Sequence, residues 1–449
     1  MSFEITKELL ETVTSYIEEA NDSALVSYFE EMHHADIAEI LDDLSFDQAV
    51  YIIKLLDSEK TSEVLMDVDD DVREEILKNL SAKEIAEEVE ELDTDDAADI
   101  IGELSEERQE AVMSQIEDEE HVKEIEELLS YDEDTAGALM AKELVRVNEN
   151  WTVLKCVREM RSQAEEVTRV HSIYVVDNDE KLKGRLSLKD LLIASTKTAI
   201  SEVYIPKVDY VNVNDDLDEV SNKMRKYDLE AIPVVDDNLV LLGRITIDDM
   251  VDVIKEEADK DYQLAAGIVE DVEADDTIFE LTKARLPWLI LGLFGGLGSV
   301  LIMEGFDEAM KSYGELFLFT PLIAAMAGNV GVQSSAIIVQ GLANDTVKGS
   351  LWRRLLKEVG LSLINGFVLG VLLIAVSVIM GYDTQLSFTV AISMMCVIIV
   401  AALIGTFVPI VLDKRGIDPA IATGPFITTS NDIFGIFLFF MIAKMMLHF

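Results

Sequence analysis

Cysteine, histidine, proline and positive charge are all scarce in this 449-residue chain. It has two cysteines, five histidines and seven prolines, and 36 Lys and Arg against 87 Asp and Glu. Cys156 and Cys396 stand far apart without metal-ligand spacing, which argues against a disulfide framework or a zinc site. His33 and His34 adjoin on an expected helix, where neighbours cannot face one metal, and are read as surface or junction residues. No Gly-x4-Gly-Lys-Ser/Thr phosphate loop occurs, so no pump is indicated. No nucleophile–base pair or metal–His cluster points to an enzyme. The first twenty residues hold six Glu or Lys and no apolar core, so no signal peptide is expected.

What is present is negative charge, and it is segregated. From Ala284 onward nine basic residues face ten acidic ones; residues 1–283 carry 27 against 77, a net of −50. Nucleic acid and anionic lipid are poor partners for such a surface, and cations are its natural counter-species.

The nearly neutral part is apolar. A bilayer span needs about 20 apolar residues. Leu286–Met303, Leu316–Asn344, Val359–Tyr382 and Thr384–Leu412 carry no charge, and Pro419–Ala443 is interrupted once, by Asp432. Five spans follow. Basic residues cluster before the first span (Lys283, Arg285), between the second and third (Lys348, Arg353, Arg354, Lys357) and between the fourth and fifth (Lys414, Arg415). The other connections are acidic or nearly neutral: Glu304–Glu315 carries a single Lys311 and the Gly381–Thr384 turn carries Asp383, while Trp288 and Trp352 mark two interfaces. The distribution predicts a multi-pass protein of the inner (plasma) membrane, with its N-terminus cytoplasmic and its C-terminus outside.

Two repeats organise the acidic part. Residues 1–205 contain no proline, and Asp36–Leu44 with Asp47–Ile53 recurs 48 positions later as Glu84–Leu92 with Asp95–Ile101. Ile37/Ile85, Ala38/Ala86, Leu44/Leu92, Ala49/Ala97 and Ile52/Ile100 match at that offset. Helix pairs at a fixed period predict an α-solenoid. Farther on, Val175-Val176-Asp177 and Gly184–Leu191 recur 59 residues later as Val234-Val235-Asp236 and Gly243–Met250. Strand, glycine turn, strand and helix recur together, which resembles a tandem CBS-domain pair. The expected organisation is an acidic helical domain over 1–137 and a CBS pair over 138–262 (about 138–200 and 201–262). A connecting helix and linker over 248–283 and a five-helix membrane domain over 284–449 complete it.

Asp432 is the leading candidate for chemistry. A carboxylate at mid-bilayer costs at least ~3 kcal/mol on insertion scales, so such residues usually face a polar path; the alternative is a carboxylate satisfied by a neighbouring span. As one straight helix, Leu316–Asn344 would be about 44 Å long against a ~30 Å core. With Pro321 and Gly328-Asn329-Val330-Gly331-Val332-Gln333-Ser334 inside it, a break is expected there, whose freed carbonyls could bind a cation. Close packing through small residues is the competing account of Gly328 and Gly331. Glu358 is read as pairing with Arg354, and Gly292, Gly295, Gly296 and Gly298 as packing residues.

With these residues on view, the chain resembles the MgtE family of magnesium channels over essentially its whole length. The matching motifs are Gly328-Asn329-x-Gly331-x-Gln333-Ser334, Lys357-Glu358-x-Gly360, Asp418-Pro419-Ala420, Gly424-Pro425-Phe426 and Thr428-x-x-x-Asp432-x-x-Gly435. The resemblance implies a homodimer in membrane lipid with a pore lined by both subunits, and one Mg²⁺ site built on Asp432 with Thr428, Gly328 and Asn329. Mg²⁺ dehydrates reluctantly, so paired carboxylates spaced for the hydrated ion suffice. An inside-negative potential supplies about 4.6 kcal/mol per 100 mV to a divalent ion, so passive uptake is adequate. A less selective conductor of Co²⁺, Mn²⁺ or Ca²⁺, and a CBS-containing sensor without transport, are the alternatives.

Two carboxylates 4 Å apart repel by roughly 4 kcal/mol at an effective dielectric of 20, and a bound divalent cation reverses that sign. Cytoplasmic Mg²⁺ would thus clamp the acidic domains and close the pore. By resemblance the bridging residues are Glu63, Asp95 and Asp99, then Asp228, Asp249 and Asp252, and Glu257 and Asp261 on the connecting helix. Each is read either as a ligand or as a solvated surface acid, and Lys260 stands where another acid is expected. Some family members bind ATP at the CBS pair. Asp190 fits a ribose contact, but Ser172 replaces the expected stacking aromatic and Lys189 an expected Arg, which leaves ATP binding open.

Overall fold

A computed structural model describes residues 5–448 apart from 165, 166, 168, 270, 271, 273–275, 344, 345, 348 and 423, and the backbone alone of 310 and 422. Lys348, one of the basic flank residues, lies outside the described residues. The chain divides into two compact units, residues 1–254 and 255–449.

The first unit opens with a stack of short helices from Lys7–Glu18 to Glu119–Leu128. Alternate helices form one row: His34–Asp42 packs on Ser58–Asp67, that on Ala82–Val89, and that on Glu106–Met113. The 48-residue repeat takes the form of matching helices whose bounds agree to within one residue. Helices His34–Asp42 and Phe46–Ile53 return as Ala82–Val89 and Thr94–Gly102, and Ile37/Ile85, Ala38/Ala86, Ala49/Ala97 and Ile52/Ile100 are all buried. Helical spacing places these residues on one apolar stripe, so burial holds the stack together. His33 precedes its helix as the N-cap and accepts from the amide of Ala35, so its ring lies 4.0 Å from that of His34. The two rings adjoin because His33 lacks helical backbone geometry.

Two three-stranded sheets follow. Val145–Asn148 runs parallel to Ile173–Val176, which pairs antiparallel with Leu182–Leu186. Val211–Asn212, Ala231–Val235 and Leu241–Thr246 repeat that topology. Val175 faces Gly184 and Val234 faces Gly243, each followed by the same register irregularity. The β-branched runs favour strands. The helix after the first copy, Leu188–Ile193, is short, whereas Ile247–Ala266 continues for 20 residues.

Among the described residues the second unit has five helices long and apolar enough to cross a membrane: Ile278–Glu304, Gly314–Ala343, Leu351–Ile379, Thr384–Asp413 and Pro425–Leu447. The first begins well before its apolar stretch, because Thr277 and Glu280 form a reciprocal capping box. The fourth packs against the second, third and fifth, and the fifth also against the first and second.

The expected break in the second span is absent. Thr320–Ala343 is a continuous α-helix through Gly328–Ser334, preceded by a 3₁₀ segment, Gly314–Phe319. Pro321 is only the second helical residue, where its missing N–H costs no intrahelical bond. The length in excess of a bilayer is taken up by the 3₁₀ segment and the helix ends. Gly328 and Asn329 therefore offer no freed carbonyls. The glycines instead let neighbouring helices approach.

Candidate metal centres

The fifth span carries Asp432, half-exposed, with Thr428 one turn before it. Both lie over Gly328 of the second span: a Cβ there would sit 3.3 Å from Thr428 Cγ2 and 3.9 Å from Asp432 Oδ1. Three of the four predicted pore residues thus converge, with glycine leaving the space above it open. Asn329, the fourth, is exposed on the next position of the same helix, and Gln333 is exposed one turn on. The clamp is tightest one turn from Gly328. A Cβ on Gly331 would meet Asn431 and Ile427, and one on Gly405 of the fourth span would meet the Gly331 carbonyl. Gly295 abuts Thr429 and Gly298 abuts Ile433, as packing requires, but Gly292 and Gly296 face open space. Glu358 accepts a 2.7 Å hydrogen bond from Ser334 Oγ, tying the third span to the second.

A second acidic centre lies within the first unit, where the helix Thr94–Gly102 meets the β-domain. Oxygens of Asp93, Asp95 and Glu143 lie within 4.8 Å of one another. Asp95 Oδ1 is sealed from solvent with no hydrogen-bond partner. Burial, then the charges of Asp96, Asp249, Glu143 and Asp93, hold the Asp95 carboxyl well above its ordinary range. The same burial, with Asp249, Asp93 and Asp99, raises Asp96 to about 7. Five carboxylates thus crowd one place. Their buried counter-charge is Arg244, whose Nε donates to the Glu143 carbonyl at 2.6 Å and whose Nη2 lies 3.4 Å from Asp93 Oδ2.

Hydrogen bonds fix this geometry. Buried Thr94 donates its amide to Glu143 Oε1 (3.2 Å) and its hydroxyl to Oε2 (3.0 Å), while accepting from the Lys142 amide (2.9 Å). Asp249 Oδ2 accepts from the Thr246 amide (2.9 Å) and hydroxyl (2.6 Å). Carboxylates crowded in low dielectric are costly unless protonated or bridged by a cation.

Of the predicted regulatory residues, Asp95 and Asp249 meet here. Asp99 is exposed one turn away, and its charge is felt by Asp96 and Arg73. Glu63 stands elsewhere, 4.0 Å from His34 Nε2. Asp228 ends its helix in the left-handed conformation. Asp252 and Glu257 are exposed along Ile247–Ala266, and Asp261 is half-exposed. Asp190 occupies the first turn of Leu188–Ile193 and is half-exposed.

Sequence reasoning missed Asp93, Asp96 and Glu143. A signal for two of them was in the repeat. Ser45 and Gln48 form a reciprocal capping box in the first copy, and 48 positions on they become Asp93 and Asp96. Asp93 makes no side-chain cap bond. Two residues that cap in the first copy are thus acids in the second. Glu143 carries no such mark, since only the fold brings it to Thr94.

Comparison with known proteins gives matches along most of the chain. Residues 320–442 match the family model MgtE, divalent cation transporter; residues 32–134 match the MgtE intracellular N domain, and 136–197 and 200–256 match CBS domains. The magnesium transporter MgtE of Enterococcus faecalis is 38% identical over 327 residues, covering 73% of this chain and 72% of the relative. That of Thermus thermophilus is 35% identical over 327 residues, covering 72% of each. The crystal structure of the cytosolic domain of the Mg²⁺ channel MgtE in complex with ATP is similar at 35% identity and a TM-score of 0.52. It covers 55% of this chain and 100% of that one. The soluble part of a magnesium transporter is similar at 27% identity and a TM-score of 0.50, covering 56% and 99%. With five membrane-length helices, a helical acidic domain and two CBS copies in the order these matches follow, the chain belongs to the MgtE family.

Proposed function

We propose that the chain is a Mg²⁺-selective, Mg²⁺-gated channel for passive magnesium uptake, working as a homodimer in the plasma membrane with its acidic half in the cytoplasm. The observation that carries this reading is Asp432, set with Thr428 over Gly328 in the N-terminal third of a membrane-length helix. Two such carboxylates related by symmetry would hold a hydrated Mg²⁺ through its waters, with Asn329 beside them, so little dehydration is required. The named function of the relatives supports the choice of ion.

Gating would begin at the acidic centres. Cytoplasmic Mg²⁺ joining Asp95 and Asp249, with Asp93, Asp96 and Glu143, removes the repulsion that otherwise loosens that junction. Glu63, Asp99, Asp228, Asp252, Glu257 and Asp261 are proposed as further bridging positions. A state that binds Mg²⁺ better is favoured by Mg²⁺, so closure by the transported ion is a linkage effect. ATP at the CBS pair, with Asp190 on the ribose, is proposed from the relative crystallised with ATP.

Inward Mg²⁺ flux into proteoliposomes, for the native chain and Asp432→Ala, tests the pore. Loss of flux in the variant is expected, and equal flux sinks the assignment. Adding Co²⁺, Mn²⁺ or Ca²⁺ as competitors distinguishes the less selective conductor, since an oxygen-only site restricts hard cations imperfectly. A native chain that passes no ion would favour the sensor alternative. Limited proteolysis with and without millimolar Mg²⁺ tests the clamp: an unchanged cutting pattern removes it.

A further inference from the structure

Beside the acidic centre stands a ligand set of a different chemical kind. His121 and Glu124 lie three residues apart on Glu119–Leu128, on one face of that helix. Glu143 reaches them from the segment that also supplies the acidic centre. One ring nitrogen of His121 and one oxygen each from Glu124 and Glu143 lie within 4.8 Å of one another. Metal–ligand bonds of about 2.1 Å place donors up to about 4.2 Å apart, so a few tenths of an ångström of side-chain movement closes the set.

We infer that His121, Glu124 and Glu143 form a site for a first-row transition divalent cation, distinct in donor chemistry from the all-oxygen Mg²⁺ centres and joined to one of them through Glu143. Nε2 of His121 lies 3.2 Å from the Val89 carbonyl oxygen, which can only accept, so a proton on Nε2 is engaged there and Nδ1 is the nitrogen left for a metal. A second-shell carbonyl of this kind fixes the tautomer of metal-ligating histidines. A nitrogen donor with two carboxylates suits Mn²⁺, Fe²⁺, Co²⁺ or Zn²⁺, whereas Mg²⁺ takes oxygen.

The site adjoins a buried oxygen of the acidic centre. Asp95 Oδ1, sealed and unpartnered, belongs to the ligand group that shares Glu143. The neighbouring ammonium of Lys142 is occupied by Glu127 at 2.7 Å. Burial, then the charge of Glu143, pushes the Glu124 carboxyl up against the opposing charges of Lys142 and His121. Glu143 is held by Thr94 through both oxygens, yet each keeps a second lone pair, so it can bridge two ions. Occupancy of one site repositions a ligand of the other. The junction that responds to Mg²⁺ would thereby also register a scarcer metal.

The test uses the full chain in detergent with millimolar Mg²⁺ present to fill the oxygen sites. Co²⁺ is titrated, and its visible d–d absorption reports a nitrogen-containing site. One equivalent per chain is expected in the native protein and in Asp432→Asn, which separates this site from the pore. Binding should be lost in His121→Gln, which keeps an N–H donor for Val89, and weaken at least about tenfold in Glu124→Gln. Retention of the native thermal stabilisation by Mg²⁺ certifies that both variants are folded; if they lose it, native-chain Co²⁺ pulsed EPR showing no histidine nitrogen coupling overturns the assignment. Equal Co²⁺ affinity in His121→Gln, or no nitrogen-type band in the native chain, likewise overturns it.

Discussion

Gly267, at φ 84°, lies so close to Pro425 that a Cβ on it would come within 2.8 Å of the ring Cδ. The glycine closes the helix Ile247–Ala266: the Ile268 amide donates back to the Gln263 carbonyl, the bond of a Schellman cap. Gly424, beside Pro425, has no room for a Cβ against the Ala265 carbonyl. The end of the connecting helix is thus seated on the start of the helix that carries Asp432.

Gly267→Ala should loosen that seat. A left-handed non-glycine residue costs about 1–2 kcal/mol before the ring contact is counted. If the seat transmits closure, the cytoplasmic Mg²⁺ concentration that half-blocks flux should rise about tenfold, the equivalent of 1.4 kcal/mol. Flux at varied internal Mg²⁺ measures this, and an unchanged dose response would show that closure travels elsewhere.

The membrane glycines divide by what faces them. A Cβ at Gly405 meets backbone of the second span, so Gly405→Ala should lower the melting temperature in detergent, with overpacking costing about 1–3 kcal/mol. At Gly328 the neighbour is a side-chain methyl at 3.3 Å, which can give way. Gly328→Ala should keep the melting temperature and reduce Mg²⁺ flux severalfold by filling the space below Asp432. The opposite pattern would contradict both assignments.

Acid should stabilise the first unit when divalent ions are absent. Asp96 is raised to about 7 and Glu88 to about 8, both chiefly by burial, and Asp95 also lies above its usual range. A raised folded pKa means tighter proton binding in the folded state. That contribution is full below the ordinary carboxylate values and is lost as pH rises through about 7 to 8. The melting temperature without divalents should fall from about pH 6 to about pH 8.5. Saturating Mg²⁺ should flatten the part of the slope that Asp95 and Asp96 supply, because the cation takes the place of their protons. Parallel slopes with and without Mg²⁺ would show that the cation does not bind these acids.

Arg244 is the buried cation of the acidic centre, so Arg244→Gln should cost several kcal/mol in EDTA, about 3–5 where a buried pair is broken. Added Mg²⁺ should recover more of that loss than it adds to the native chain. Scanning calorimetry of both proteins, with EDTA and with Mg²⁺, gives the comparison.

Ser334→Ala removes the hydroxyl that Glu358 accepts from between the second and third spans. A charged group losing a hydrogen bond costs about 1.5–3 kcal/mol, so thermal stability in detergent should fall. Ser334→Thr, which keeps a hydroxyl, should retain most of it.

Much of this architecture was legible because periodicity is local. Ile37, Ala38, Ala49 and Ile52 repeat at one offset and are buried at one offset, and five apolar stretches became five membrane-length helices. Asp432 stood out because a charge inside an apolar run is conspicuous by itself. The broken second span was misread for the same local reason. Gly328 and Gly331 look like helix breakers along the chain, but Thr428, Asn431 and the Gly405 backbone on neighbouring helices require their missing side chains.

The sequence by itself determined the element types, both repeats, the charge segregation and the one acid within a span, since each depends on residues near one another in the chain. The tertiary structure alone decided which acids meet. Asp95 and Asp249 are joined by Asp93, Asp96 and Glu143, while Glu63 turns to His34, because packing of the helical stack on the β-domain sets distances that no spacing encodes. It also decided that His121 has two carboxylates for company. Coulombic and ligand interactions act over a few ångströms of space, and in a chain this acidic composition cannot tell a crowded carboxylate from a solvated one.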